Sequence, residues 1–472
     1  MWLSDEAIEE LTCLITEFGE DLHNDIGLWA AYERYNIQFY ATPLPLTVSN
    51  GAMFKTDQFS APRIQHFLWN IYSELKPDIL IPPTMQKLSI LSKEIVNFLE
   101  KNFNYIPRDS GVKKFLSEPN DYGWDVKKKL IWMGTHSYFF RVHSWNYFYE
   151  RDEEVSIGLI DDFVAQETTK WSGLGVIDIL AEVLNISIEE KKDIQTWYER
   201  HASCYKIVDM KKGVMELENI VNNEIYAVMF GDGKNPFKVN HYIFGSLVPY
   251  GKYWYWSGEQ RVFEKMSEEQ IKDIREDLIR RSSNIVYRYD HQLAQKAKEM
   301  VKGRYEDFVK FFGNDLVVFP DGLTMATALQ KKDRAKFENS PPSTKADMLQ
   351  HHAPQKSFPE FSLPQDLLED DTGLGVYFHP DEGEEIMRNF RNVENGFKKK
   401  GFGLNEEEQE AIRIFMEADA ISLLFVQRII REYGDESLAN SFLIPTGGGK
   451  HYIDYLLRRY KGHFYRNRYP AI

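Results

Sequence analysis

The sequence predicts an α+β chain that is mostly helical. A helical N-terminal domain is followed by a small five-stranded β-barrel (SH3- or OB-like) and then by a helical C-terminal domain. Three observations predict this. Apolar residues recur at helical spacing through residue 202, strict alternation takes over at about Ser203, and helical spacing returns in the last hundred or so residues. A length of 472 residues leaves room for about two to four domains.

The first helix is set by Ile8, Leu11, Leu14, Ile15 and Phe18 behind Ser4, an N-cap residue, and ends at Gly19. Leu28, Tyr32 and Tyr35 share one face of a second helix reaching Ile37. Prolines at 43 and 45 interrupt the pattern, which resumes over Ile64–Leu75 and Met85–Asn102. Asp125 to Arg151 is dense in aromatic rings and holds His136 and His143, which two helical turns would place on one face. Val176–Leu184 and Ile188–His201 complete the domain, the second helix behind a Ser187/Glu190 capping box.

Five alternating runs follow: CYKIVDM, VMELENI, EIYAVMF, YIFGSLVPY and YWYWSGE. Turn signals KKG, VNN, GDGKNP and YGK separate them. Strands this short bury little on one face, so closure or packing on a helix is needed, and the prediction is a small closed or nearly closed barrel over 203–262. A mixed extension packed on it covers 263–338, with a capping box at Ser267/Gln270 and a buried strand DLVVFP. The proline-rich stretch 339–372 reads as a linker or arm, and 373–472 as the helical C-terminal domain. There, Asn405 and Glu408 cap one long helix expected to reach Tyr433, and a final helix spans Tyr452–Tyr460.

Composition narrows the function. Hydrophobic residues at 43% and aromatic residues at 14% suffice for packed cores and exclude a wholly disordered chain. The 57 basic against 72 acidic residues give −15, which disfavours general nucleic-acid coating. That charge is uneven. Asp366–Glu385 carries eight acids and no Lys or Arg, while the tail after His451 carries Arg458, Arg459, Lys461, Arg466 and Arg468 among aromatic rings. Two cysteines make no disulfide framework, and no stretch has the length of an apolar membrane span. The expectation is a cytosolic protein without membrane association.

Each candidate for chemistry has a plainer explanation. TGGGK at 446–450 lacks the spacing of a phosphate loop, and His451 stands where that loop needs Ser or Thr. HPDEGEE at 379–385 groups His379 with carboxylates, as a metal-dependent hydrolase would, but it also reads as a helix start with acids at the positive end of the dipole. His201 and Cys204 suggest a thiol and its base, against a buried cysteine acting as a small hydrophobe. His351 and His352 lie in the arm. No catalytic residue, cofactor or metal site is therefore assigned.

Binding residues are the stronger expectation. On β-strand geometry Trp254 and Trp256 share one face, and Tyr253 and Tyr255 the other. One face fills the barrel, and the other presents rings to a partner or to a neighbouring helical domain. The sequence thus points to a non-enzymatic interaction, scaffold or regulatory protein with a protein partner. The named binding residues are Tyr253, Trp254, Tyr255, Trp256, Arg458, Arg459, Arg466 and Arg468. Nucleic-acid binding through the barrel and the basic tail is the alternative.

Overall fold

The computed structural model describes residues 4–465 apart from 49–52, 56–57, 77–78, 107, 109–110, 152–153, 170–172, 231–236, 282–290, 344, 346–362 and 445–449. The chain divides into two units. The first runs from the amino terminus through Arg281 and resumes at Leu443; the second runs from His291 to Phe442. Among the described residues no helix is long and apolar enough to cross a membrane.

The first unit begins with helices α1 (Asp5–Asn24), α2 (Leu28–Tyr40), α3 (Ala61–Leu75) and α4 (Gln86–Asn102). The Ser4 hydroxyl accepts the Ala7 N–H at 3.3 Å, so the N-cap acts as its residue type dictates. An aromatic core joins these helices: Phe18 stacks on Phe67 at 5.0 Å and meets Trp29 edge-on at 4.9 Å. Helices α5 (Gly111–Leu116), α6 (Gly123–His136), α7 (Arg141–Glu150), α8 (Ile157–Gln166), α9 (Val176–Val183) and α10 (Ile188–Gln195) complete the layer. The aromatic tract is therefore two helices, not one. Ser137 has extended backbone angles and ends α6, which separates His136 from His143. The last predicted helix of the domain also stops early, at Gln195: a single 3-10 turn over Trp197–Glu199 follows it, and the first barrel strand starts at His201.

The barrel consists of β1 (His201–Lys211), β2 (Val214–Asn219), β3 (Ile225–Met229), β4 (Tyr242–Tyr250) and β5 (Tyr253–Phe263). It closes in the order β1-β2-β3-β5-β4, with β1 also paired to β4. The β3–β5 pair is parallel, with Val228 opposite Trp254, and every other pair is antiparallel. A Greek-key closure of this order is the OB arrangement, which resolves the SH3-or-OB alternative. Alternate residues point inward, and Tyr205, Ile207, Met215, Leu217, Tyr226, Val228, Ile243 and Leu247 fill the interior. Helix α11 (Glu268–Arg281) follows, with the Arg275 Nε donating to the Ile220 carbonyl at 2.7 Å.

The second unit holds α12 (His291–Phe312), β6 (Leu316–Phe319), α13 (Gly322–Asn339), α14 (Gln365–Leu368), β7 (Leu374–His379) and β8 (Gly383–Met387). The three strands form one antiparallel sheet, β6-β7-β8. One face packs Val376 and Phe378 with Phe308, Met325 and Leu329 of α12 and α13. The other face stacks Tyr377 on Phe425 at 4.6 Å. HPDEGEE is therefore a hairpin turn and not a helix start: Gly383 adopts φ +95°, open to glycine, as β8 turns back on β7.

Helices α15 (Phe390–Lys398), α16 (Glu406–Glu417), α17 (Leu423–Tyr433) and α18 (Glu436–Ser441) complete this unit. The expected single helix to Tyr433 is broken. Ala418 is extended, and the Ser422 hydroxyl accepts the Phe425 N–H at 3.1 Å to start α17. The arm predicted over 339–372 lies mainly outside the described residues. The last helix, α19 (Lys450–Lys461), belongs to the first unit.

Candidate interaction surface

The wall formed by β4 and β5 is held against the helices. The Tyr250 hydroxyl donates to the Asn120 carbonyl at 2.7 Å, and the Trp197 Nε1 donates to the Pro249 carbonyl at 2.6 Å. The Gly251 N–H donates to Asp193 Oδ2 at 2.8 Å. The Tyr255 ring lies over the first turn of α6, edge-on to Trp124 at 5.4 Å. Gly123 permits that approach, because a Cβ there would fall 2.5 Å from the Tyr255 ring. Lower on β5, Asp161 of α8 accepts from Lys127 at 2.6 Å and from the Ser257 hydroxyl at 3.3 Å.

The candidate aromatic residues sort accordingly. Trp254 and Trp256 pack on the barrel interior; the Trp254 ring sits 4.6 Å from His201 and 4.7 Å from Tyr226. Trp256 lies over Gly245, where a Cβ would come within 2.7 Å of the indole. Tyr255 is buried against α6, and the half-buried Tyr253 carries the Lys252 ammonium 5.0 Å above its ring. The strand alternation read from the sequence is present, and the outward face meets the helical layer.

The basic residues of α19 also face inward on the first unit. The Arg458 guanidinium lies 3.9 Å from the Phe39 ring centre and donates to the Tyr35 hydroxyl at 3.2 Å. Arg459 is 7% exposed and lies over Trp69 at 4.5 Å. Between them, Tyr455 is fully buried against Tyr40, His66 and Trp69. Burial, helped by Arg459, pushes the His66 pKa down to about 3, so the imidazole stays neutral and links the Tyr32 hydroxyl (2.7 Å) to that of Thr47 (3.1 Å). Arg466 and Arg468 lie outside the described residues, as do Thr446–Gly449, His351 and His352.

At His379 the carboxylates are engaged separately. The His379 Nδ1 accepts the Asp381 N–H at 3.1 Å, Glu384 faces Lys332 at 3.7 Å, and Glu385 accepts the Ser422 N–H at 2.8 Å. Among the described residues no three His, Cys, Asp or Glu side chains converge on a point that could hold a metal ion. Cys204 is fully buried, and desolvation raises its thiol to about 12, so it stays protonated and unreactive at neutral pH. His201 instead meets the Tyr226 hydroxyl through Nδ1 at 3.1 Å.

The far end of β5, residues 259–263, is exposed, and the opposite wall is partly so, with Lys206, Glu218 and Ala227 half-buried. Across β1, β2 and β3 the outward residues are Lys206, Glu218 and Ile225 in one row, and Glu216 and Ala227 in the next. Glu216 is exposed and Ile225 is 53% exposed. Asp209 and Lys211 pair with each other at its edge, which lowers the Asp209 pKa. The wall therefore carries Glu216 and Glu218 on its middle strand, with Lys206 on the β1 side and Ile225 and Ala227 on the β3 side. Sequence reasoning passed over it because its outward side chains are ordinary strand residues; the signal available was the single Ile225 in an otherwise charged row.

No known family model matches the chain, and no curated protein or solved structure resembles it at a meaningful level.

Proposed function

We propose that this chain is a non-enzymatic interaction protein whose OB-like barrel offers its β1–β2–β3 wall to a protein partner bearing basic residues. The observation that supports this reading is the division of the barrel: the stretch 249–257 of β4 and β5 meets the helical layer, while Glu216 and Ile225 are exposed on the other wall with the half-buried Glu218 between them. OB-type barrels bind through the face of strands 2 and 3. Single-stranded nucleic acid on that face needs cationic side chains along the backbone and rings for the bases. Here Glu216 and Glu218 stand against the single Lys206, with Asp209 and Lys211 paired to each other, and that net negative balance repels phosphate and attracts ammonium or guanidinium groups.

Fluorescence anisotropy on the full chain tests the class of partner. A short alternating Lys–Leu peptide is expected to bind saturably, with affinity falling as salt is raised. Labelled oligo-dT is expected to bind no tighter than ~100 µM, the weak end of non-specific binding. Tight, steeply salt-dependent oligo-dT binding would overturn the reading in favour of nucleic acid.

A further inference from the structure

Apart from the barrel wall, the first unit contains a cavity of about 220 Å³ between α1, the turn into α2 and the C-terminal end of α6. Its volume is below the roughly 300–1,000 Å³ of sites for drug-sized ligands, so it suits a smaller molecule. Glu17, Glu20 and Asp21 line one side; Trp132, His136 and Tyr138 line the other.

The three carboxylates are not equivalent. Glu17 is neutralised by Arg141, whose guanidinium reaches both carboxylate oxygens at 3.0 Å. Asp21 accepts the N–H groups of Gly27, Leu28 and Trp29 and the Tyr138 hydroxyl. The Glu20 carboxylate takes no hydrogen bond or ion pair among the described residues. Burial, with Glu17 nearby, raises its pKa, so its charge is held at a cost that a bound cation would offset. Since the acids do not converge on one point, a compact metal ion is poorly served. The indole and phenol rings suit the body of an organic cation.

We propose that this cavity binds a small protonated organic amine, its ammonium group on Glu20 and its apolar body against Trp132. The match is one carboxylate without a partner among the described residues, set in a cavity that also offers the Trp132 and Tyr138 rings and the apolar Ile26, Leu28 and Val112. His136, at the exposed rim with its Nδ1 bonded to the Thr135 hydroxyl at 2.7 Å, leaves the carboxylate face free.

Calorimetric titration of the full chain with benzylamine and with its neutral twin benzyl alcohol tests the proposal. The amine is expected to bind saturably and at least about tenfold more tightly than the alcohol. Glu20→Gln removes the charge without changing shape and is expected to cost a similar factor. Val112→Trp fills the cavity from a lining position without altering any charge and is expected to abolish binding. Circular dichroism verifies that each variant folds; if Glu20→Gln does not, the amine–alcohol comparison and Val112→Trp decide. Equal affinity for amine and alcohol, no saturable amine binding, or unchanged affinity in a folded Glu20→Gln would each overturn the assignment.

Discussion

Replacing Glu33 by alanine is expected to destabilise the first unit by about 3–5 kcal/mol, the cost of removing one partner from a buried ion pair. Glu33 is 7% exposed and Arg63 1% exposed. The pair is bidentate, with Arg63 Nε on Oε1 at 2.8 Å and Nη2 on Oε2 at 2.6 Å. Glu33 also accepts the Trp29 indole N–H at 2.9 Å, so its loss leaves a buried cation and a buried donor unpaired. The remaining Arg63 donor, Nη1, already serves the carbonyls of Lys55 and Gln58 and cannot supply a counter-charge. Urea denaturation followed by tryptophan fluorescence measures the loss, and a change below about 1 kcal/mol would contradict the burial of the pair. Glu33→Met with Arg63→Met should recover only part of the loss, because it removes the unpaired charge but still leaves the Trp29 indole N–H and the Lys55 and Gln58 carbonyls without these partners.

Asp21→Ala is expected to cost a comparable amount, about 3–5 kcal/mol, because several buried donors lose their acceptor at about 1–3 kcal/mol each. Asp21 is 2% exposed and sits where α1 hands over to α2. Its Oδ1 accepts from Gly27 at 2.8 Å and Leu28 at 3.2 Å, and its Oδ2 accepts from Trp29 and the Tyr138 hydroxyl at 2.7 Å each. It thus caps α2 from outside that helix, whose own N-cap Gly27 has no side chain to do so. Asp21→Asn keeps one acceptor oxygen and is expected to cost less. The pH dependence has a defined sign. Desolvation outweighs these bonds and raises the Asp21 pKa, so the folded state binds this proton more tightly than the unfolded state. The stability Asp21 contributes is present below the ordinary aspartate value and declines as pH rises through the raised value. The stability of wild type relative to Asp21→Asn, from parallel urea titrations, should therefore fall across that window; a rise would contradict a raised pKa.

The barrel was the most legible part of the chain, because each strand has one face inside and one face outside, and that imposes alternation. The hairpin β7–β8 was not legible. Leu374–Phe378 is buried on both faces of its sheet, so the LGVYF run shows no period, and the acids after it match a helix start equally well. The break between α16 and α17 was hidden by a buried stripe that continues through both helices, from Ile412 to Ile429. Ser422 was the only local cue to it.

Contacts distant in sequence were out of reach. Nothing near Glu33 indicates Arg63, and nothing near Arg458 or Arg459 indicates Phe39 and Trp69. The arginine–aromatic pattern of the tail is consequently spent, for those two residues, on packing within the first unit. In the candidate site, the pairing of Trp254 with Trp256 and of Tyr253 with Tyr255 followed from strand geometry. Which wall meets the helices depended on Gly123 and Asn120, residues without a functional signature.

The central claim is that the β1–β2–β3 wall is the surface a basic partner occupies. A photo-crosslinking amino acid at Ile225, compared with one at the exposed Ile188 on α10, measures this most directly. With the Lys–Leu peptide bound, adducts are predicted at position 225, not at 188, and are predicted to disappear when Glu216 and Glu218 are both changed to lysine. Adducts of equal yield at both positions, or adducts at 225 that survive the double charge reversal, would contradict it.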